Sequence, residues 1–143
     1  MKLPPLVYLL GYAGLVPFLA VPLWLTLAPA SAPAGLDALW LQYAAMIAAF
    51  MAGTFWGMGV LTVEGPAGRL GITLAAALLA LAWGAQALPF RQALWALGAV
   101  YILLALAEIW RERVLDPLGG YFGLRLTLTI GVLISLGWRL ALG

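Results

Sequence analysis

The sequence predicts an all-α integral membrane protein, a bundle of five transmembrane helices in one domain spanning 1–143, and three observations predict it. Sixty-six percent of the 143 residues are hydrophobic and only 8% are charged. Apolar runs of about 20 residues recur, the length that crosses the ~30 Å hydrocarbon core as a helix. The few charges fall between those runs.

The first span is expected over 5–28. Pro4 and Pro5 suit a helix start, while Pro17 and Pro22 remove internal hydrogen bonds and should kink the helix. Lys2 followed by an apolar run and Ala28-Pro29-Ala30-Ser31-Ala32 resembles a cleavable leader. The run is about 25 residues, longer than the ~7–15 of a leader core, and it holds four prolines, so it reads as a span. The second span is expected over 36–63, with Asp37 beside its N-terminal dipole and the turn Glu64-Gly65-Pro66-Ala67-Gly68 after it. The third covers 70–88 and stops at Pro89. The link to the fourth, 92–113, is so short that the two form an antiparallel hairpin. A polar connection from Arg111 to Gly120, holding Glu112, Arg113, Asp116 and Pro117, leads to the fifth span, 121–142.

Lys2, Arg69, Arg111, Arg113 and Arg125 fall toward one side of the membrane, Arg91 and Arg139 toward the other. The excess of basic residues points the N-terminus to the cytoplasm, with the C-terminus outside. A bacterial inner membrane is the expected location. No internal repeat of the kind used by inverted-repeat transporters is legible.

Composition excludes much chemistry. The chain has no His and no Cys, which removes the usual nitrogen and sulfur metal ligands, the commonest general base and any thiol nucleophile. No metal, cofactor or enzymatic activity is expected. Met46, Met51 and Met58 read as packing. A net charge of +2 is too small to suggest nucleic acid.

Two stripes of small residues suggest close helix approach: Ala45, Ala49, Gly53 and Gly57 on the second span, and Gly123, Thr127, Gly131 and Ser135 on the fifth. They read as packing within the bundle or as a homo-oligomer seam. Trp24, Trp40, Trp110, Tyr121 and Trp138 lie near helix ends, where amphipathic rings favour the interface. Gln42, Tyr43 and Gln86 sit toward the other end of their spans and read as interfacial. Hydroxyls such as Thr54, Thr127 and Ser135 are expected to bond their own helices.

Glu108 and Arg125 each stand about a turn inside the same side of the membrane, on consecutive helices. Charges in lipid face the bundle and find partners. The two read as a structural clamp, or as part of an anion or headgroup site with Arg125 and Arg111 as donors. Tyr12, Tyr43, Phe50 and Trp56 would line an apolar cavity with Arg125 at its mouth.

Three blocks carry a resemblance: Leu10-Gly11-Tyr12-Ala13-Gly14-Leu15-Val16-Pro17-Phe18, then Tyr43 through Phe50 to Gly53-Thr54-Phe55-Trp56-Gly57, then Leu124-Arg125-Leu126-Thr127. In order and spacing the chain resembles the transmembrane protein 69-like family, a domain of unknown function found in bacterial inner-membrane proteins and a mitochondrial homologue. The resemblance implies a small polytopic membrane protein and emphasises Gly53, Trp56, Gly57 and Arg125. Phe55 departs from the pattern, since the family often carries a polar residue there.

The functional expectation is a non-enzymatic scaffold or assembly factor for membrane components. Its partners are membrane lipids, further copies of the chain or other membrane proteins, and no nucleic acid. The alternative is binding or transport of a lipidic or apolar molecule such as a lipid or quinone. A small channel ranks third, for want of a charge set in mid-membrane.

Overall fold

The computed structural model describes residues 4–61, 65–114 and 120–142. Within them the chain is a bundle of helices: α1 (Pro5–Ala13), α2 (Val16–Leu27), a short 3-10 turn (Pro29–Ser31), α3 (Leu36–Leu61), α4 (Gly65–Ala85), α5 (Phe90–Val114) and α6 (Gly120–Ala141). Five stretches are long and apolar enough to cross a membrane, α1 and α2 together forming the first. Lys2, Val63, Glu64 and Asp116, which entered the sequence reading, lie outside the described residues.

The first span is interrupted in its hydrogen bonding, while Gly14 and Leu15 keep right-handed helical backbone angles. The break falls at Gly14 and Leu15, just ahead of Pro17, and Gly14 N–H bonds back to the Leu10 and Gly11 carbonyls. Pro17 enters α2 in its first turn, where a missing N–H costs little. Pro22 stays inside α2. Lacking an N–H, it cannot satisfy the carbonyl four residues back, that of Phe18. The Trp40 indole supplies the donor instead, with Nε1 3.4 Å from that oxygen. At the break, Tyr43 donates its hydroxyl to the Gly14 carbonyl at 2.7 Å. In lipid every such group must be met from within the protein, so α3 carries the aromatic donors that the broken first span needs.

Trp40 is therefore a buried residue, 2% exposed, and not the interfacial ring its place near a helix end suggested. Trp24 and Trp138 do keep exposed polar ends, donating to Ser31 Oγ and Thr26 Oγ1.

The helix α4 starts at Gly65, earlier than the expected Leu70. Pro66 is placed in its first turn, where proline is favoured, and Gly65 takes a left-handed φ of +82°. It ends at Ala85, after which Gln86, Ala87 and Leu88 close tighter i→i+3 bonds before Pro89.

The core runs along α3, α4, α5 and α6, with α2 contributing Phe18. Small residues set its closeness: Ala44, Ala45, Ala48 and Ala52 on α3, and Gly68, Gly71 and Ala75 on α4. A Cβ on Gly59 would come within 3.1 Å of Ile72, and one on Gly71 would touch Phe55 and Trp110. Tyr101, fully buried, donates its hydroxyl to the Ala44 carbonyl at 2.6 Å.

The two predicted stripes behave alike. Ala45 is buried and Ala49 half-buried, but Gly53 is exposed, and neither Gly53 nor Gly57 has an atom within 4 Å of where a Cβ would stand. On α6, Gly123 and Thr127 are exposed, Gly131 is half-buried and Ser135 is buried. A strict four-residue step advances about 40° per repeat on a helix of 3.6 residues per turn. Three steps carry a stripe about a third of the way round, so each starts or ends in the core and swings into the lipid. The buried face of α3 mixes steps of three and four, through Leu41, Ala44, Ala48, Met51, Phe55 and Gly59.

The orphan-carbonyl account gives a prediction. Trp40→Phe should cost about 1 kcal/mol in a reversible unfolding assay in bilayers, within the range of hydrogen bonds in membranes. In a Pro22→Ala background, where residue 22 regains its N–H, the cost should shrink. Equal costs in both backgrounds would sink the account.

Candidate functional site

Arg125 lies on α6 and is 4% exposed. Its Nε donates to Glu108 Oε1 of α5 at 2.6 Å, and Nη2 pairs with the same oxygen. Nη2 also donates to the Met51 carbonyl of α3 at 2.9 Å. Nη1 donates to Thr54 Oγ1 and, at 3.1 Å, to the Tyr121 hydroxyl one turn back on α6. The guanidinium carbon lies 5.5 Å from the centre of the Tyr121 ring. A guanidinium has five N–H groups and no way to shed its charge, and here five contacts on three helices engage all three nitrogens. Thr54 meanwhile donates to the Met51 carbonyl at 2.9 Å. The clamp legible in the sequence is present, and two ligands from α3 extend it.

A second arginine works at the opposite end of α6. Arg139 grips Asp37, at the start of α3, with two parallel bonds: Nε to Oδ1 at 3.0 Å and Nη2 to Oδ2 at 2.7 Å. Its guanidinium lies 4.9 Å from the centre of the Phe90 ring, which leads α5. This pair escaped the sequence reading because 102 residues separate its members. The detectable signal was an acid and a base at matching depth on the same side of the membrane.

Between the first span and α6 lies a cavity of about 330 Å³. Its walls are apolar: Val7, Leu10 and Gly11 of α1, Phe18 of α2, Ile47 and Phe50 of α3, and Leu124, Leu128 and Val132 of α6. Arg125 and Tyr121 supply its polar groups. Arg125 has its donors engaged. Tyr121 accepts from Arg125, which leaves its own O–H proton to be donated elsewhere.

Of the residues expected around a cavity, Phe50 and Arg125 line this one. Tyr43 packs on Phe18, ring centres 5.1 Å apart, and its hydroxyl is taken by Gly14. Tyr12 and Trp56 are 47% and 48% exposed and are not among its lining residues. Glu108 is buried in the clamp. Arg111 is buried one turn further along α5, outside the cavity lining. Gln42 and Gln86 are exposed. Sequence reasoning missed the α1 wall because α1 buries none of its own residues and reads only as lipid-facing helix. Among the described residues no group of three or more acids is placed to hold a metal ion.

An apolar bundle with its charges clamped inside and a cavity open along the first span defines a multi-pass helical membrane protein. It belongs to a family of proteins of unknown function, DUF3429, whose match covers residues 3–141. No curated protein and no solved structure matches the chain.

Two predictions follow from the two arginines. Glu108→Gln and Arg125→Met should each cost about 3–5 kcal/mol, the cost of leaving one buried partner alone. The double variant should cost far less than both together, and additivity in a double-mutant cycle would mean the groups act separately. Asp37 is 40% exposed, so Asp37→Asn should cost only about 0.5 kcal/mol and less still in high salt.

Proposed function

We propose that the protein binds a lipidic molecule whose chain lies in the cavity between the first span and α6 and whose acceptor oxygen receives the Tyr121 O–H. The single observation that carries this reading is the cavity itself. It is of pocket size, apolar along its length, and has a free donor at its polar end. A quinone or an ester lipid has the matching chemistry, a long apolar body with a carbonyl acceptor. On this reading the protein is not an enzyme and takes no metal or cofactor. It lies in a bacterial inner membrane with its N-terminus cytoplasmic, and it is akin to the transmembrane protein 69-like proteins.

A second reading, as a scaffold or assembly factor, draws support from α3. Gly53 and Gly57 leave open backbone beside the exposed rings of Phe50 and Trp56, a surface on which a neighbouring helix can approach closely.

Native mass spectrometry of the protein released from membrane-derived nanodiscs separates the two. A reproducible added mass of a lipid or quinone is the expected result. Tyr121→Phe should reduce its retention about tenfold, the loss of one good hydrogen bond, and Leu128→Trp, which fills the cavity, should abolish it. A bare protein, seen only as a defined oligomer or with a second protein attached, would overturn the binding reading in favour of the scaffold.

A further inference from the structure

Arg111 is left over by the clamp. It is 3% exposed, and its Nε is fully buried with no hydrogen-bond partner. Glu108, one turn back on α5, is the buried carboxylate beside it, and Glu108 Oε1 is engaged twice by Arg125. Ion pairs among the described residues join Arg125 to Glu108 and Arg139 to Asp37, and Arg111 belongs to neither. Within the fully buried part of the cluster two guanidinium groups stand beside the Glu108 carboxylate; Glu112, the next residue along α5, is half-buried and adds a negative charge nearby, and Arg111 Nε still lacks an acceptor.

An arginine cannot relieve burial by losing its proton. A fixed cation with an idle donor calls for an anionic oxygen acceptor, and guanidinium geometry suits phosphate. The surroundings agree. Arg111 sits in the last turn of α5 with Arg113, which is exposed. Arg69, also exposed, stands near the start of α4. The packing of Gly71 of α4 against Trp110 of α5 brings those two helix ends together. Three arginines therefore share one end of the bundle.

We propose that Arg111 is the inner ligand of a phosphate-binding site at the α5 end of the bundle, occupied by the phosphate of a lipid headgroup or by free phosphate. The site is separate from the cavity, whose lining does not include Arg111, and it stands whether or not the cavity reading holds.

The test uses the full chain, delipidated in a phosphate-free maltoside detergent. The probes are phosphatidylglycerol, inorganic phosphate and, as a phosphate-free control, diacylglycerol. Each is read as a shift in thermal midpoint and as bound mass in native mass spectrometry. Phosphatidylglycerol should bind and raise the midpoint of the wild type by several degrees and by more than diacylglycerol, whose ester carbonyls suit only the cavity; in Leu128→Trp, where the cavity is filled, diacylglycerol should be inactive. Arg111→Gln should weaken that binding about tenfold, and Arg111→Lys, which keeps the charge and guards against a folding failure, should retain part of it. A matching response to inorganic phosphate alone would identify free phosphate as the occupant, which also supports the site. Leu128→Trp should leave the response intact. The proposal is overturned if no phosphate probe acts on the wild type, if Arg111→Gln responds equally, or if Leu128→Trp removes the response.

Discussion

The five-contact guanidinium of Arg125 is the interaction on which the rest of the structure depends. Hydrocarbon offers no hydrogen bonds, so a charge placed there must be answered entirely by the protein. Answering this one requires a carboxylate from α5, a carbonyl and a hydroxyl from α3 and a phenol from α6. Only one mutual arrangement of the three helices presents all of them at once. Arg139 repeats the device at the far end of α6, joining it to the start of α3. Fourteen positions apart, the two arginines pin α6 at points about 21 Å from each other. That fixes its rotation as well as its position, which helix packing among alanines and leucines would specify weakly.

The first span is held by a different and weaker logic. It has no charge to clamp, and α1 buries nothing of its own. What fastens it are single donors: the Trp40 indole and the Tyr43 hydroxyl of α3, each aimed at a carbonyl near the proline-bearing stretch, and the Trp138 indole of α6, aimed at the Thr26 hydroxyl. Close approach to α6 occurs at two glycines. Leu128 comes within 3.3 Å of a Cβ built on Gly11, and Leu15 within 2.9 Å of one built on Gly131. Between these contacts the surfaces part, and the cavity is the space that remains.

The spans were legible because hydrophobic length is a one-dimensional signal, and the Glu108–Arg125 clamp because two charges in lipid have few other fates. What stayed hidden depended on rotation. The stripes through Gly53 and Gly123 looked equivalent to packed faces when spaced by four, yet the angular drift of a real helix turns those two glycines outward while Gly131 stays packed against Leu15. Trp40 and Trp24 are both tryptophans near helix ends. Only the missing N–H of Pro22, on another helix, decides that Trp40 goes inside, and no local pattern around residue 40 announces it. The Asp37–Arg139 pair was hidden for a like reason, since its meaning lies in the stacking of the first residues of α3 on the last of α6.

The polar groups at the Arg125 end also differ in what they leave unsatisfied. Arg125 is saturated, so its charge acts through structure: it holds the Tyr121 hydroxyl as an acceptor and lies over the Tyr121 ring. Tyr121 brings a neutral hydroxyl to the edge of an apolar space, beside a cation already matched by Glu108. Arg111 offers the opposite, a charged donor whose Nε lacks an acceptor, at a helix end crowded with other arginines. Glu108 Oε1 is engaged by both Nε and Nη2 of Arg125, so the three-helix junction is closed without any contribution from Arg111.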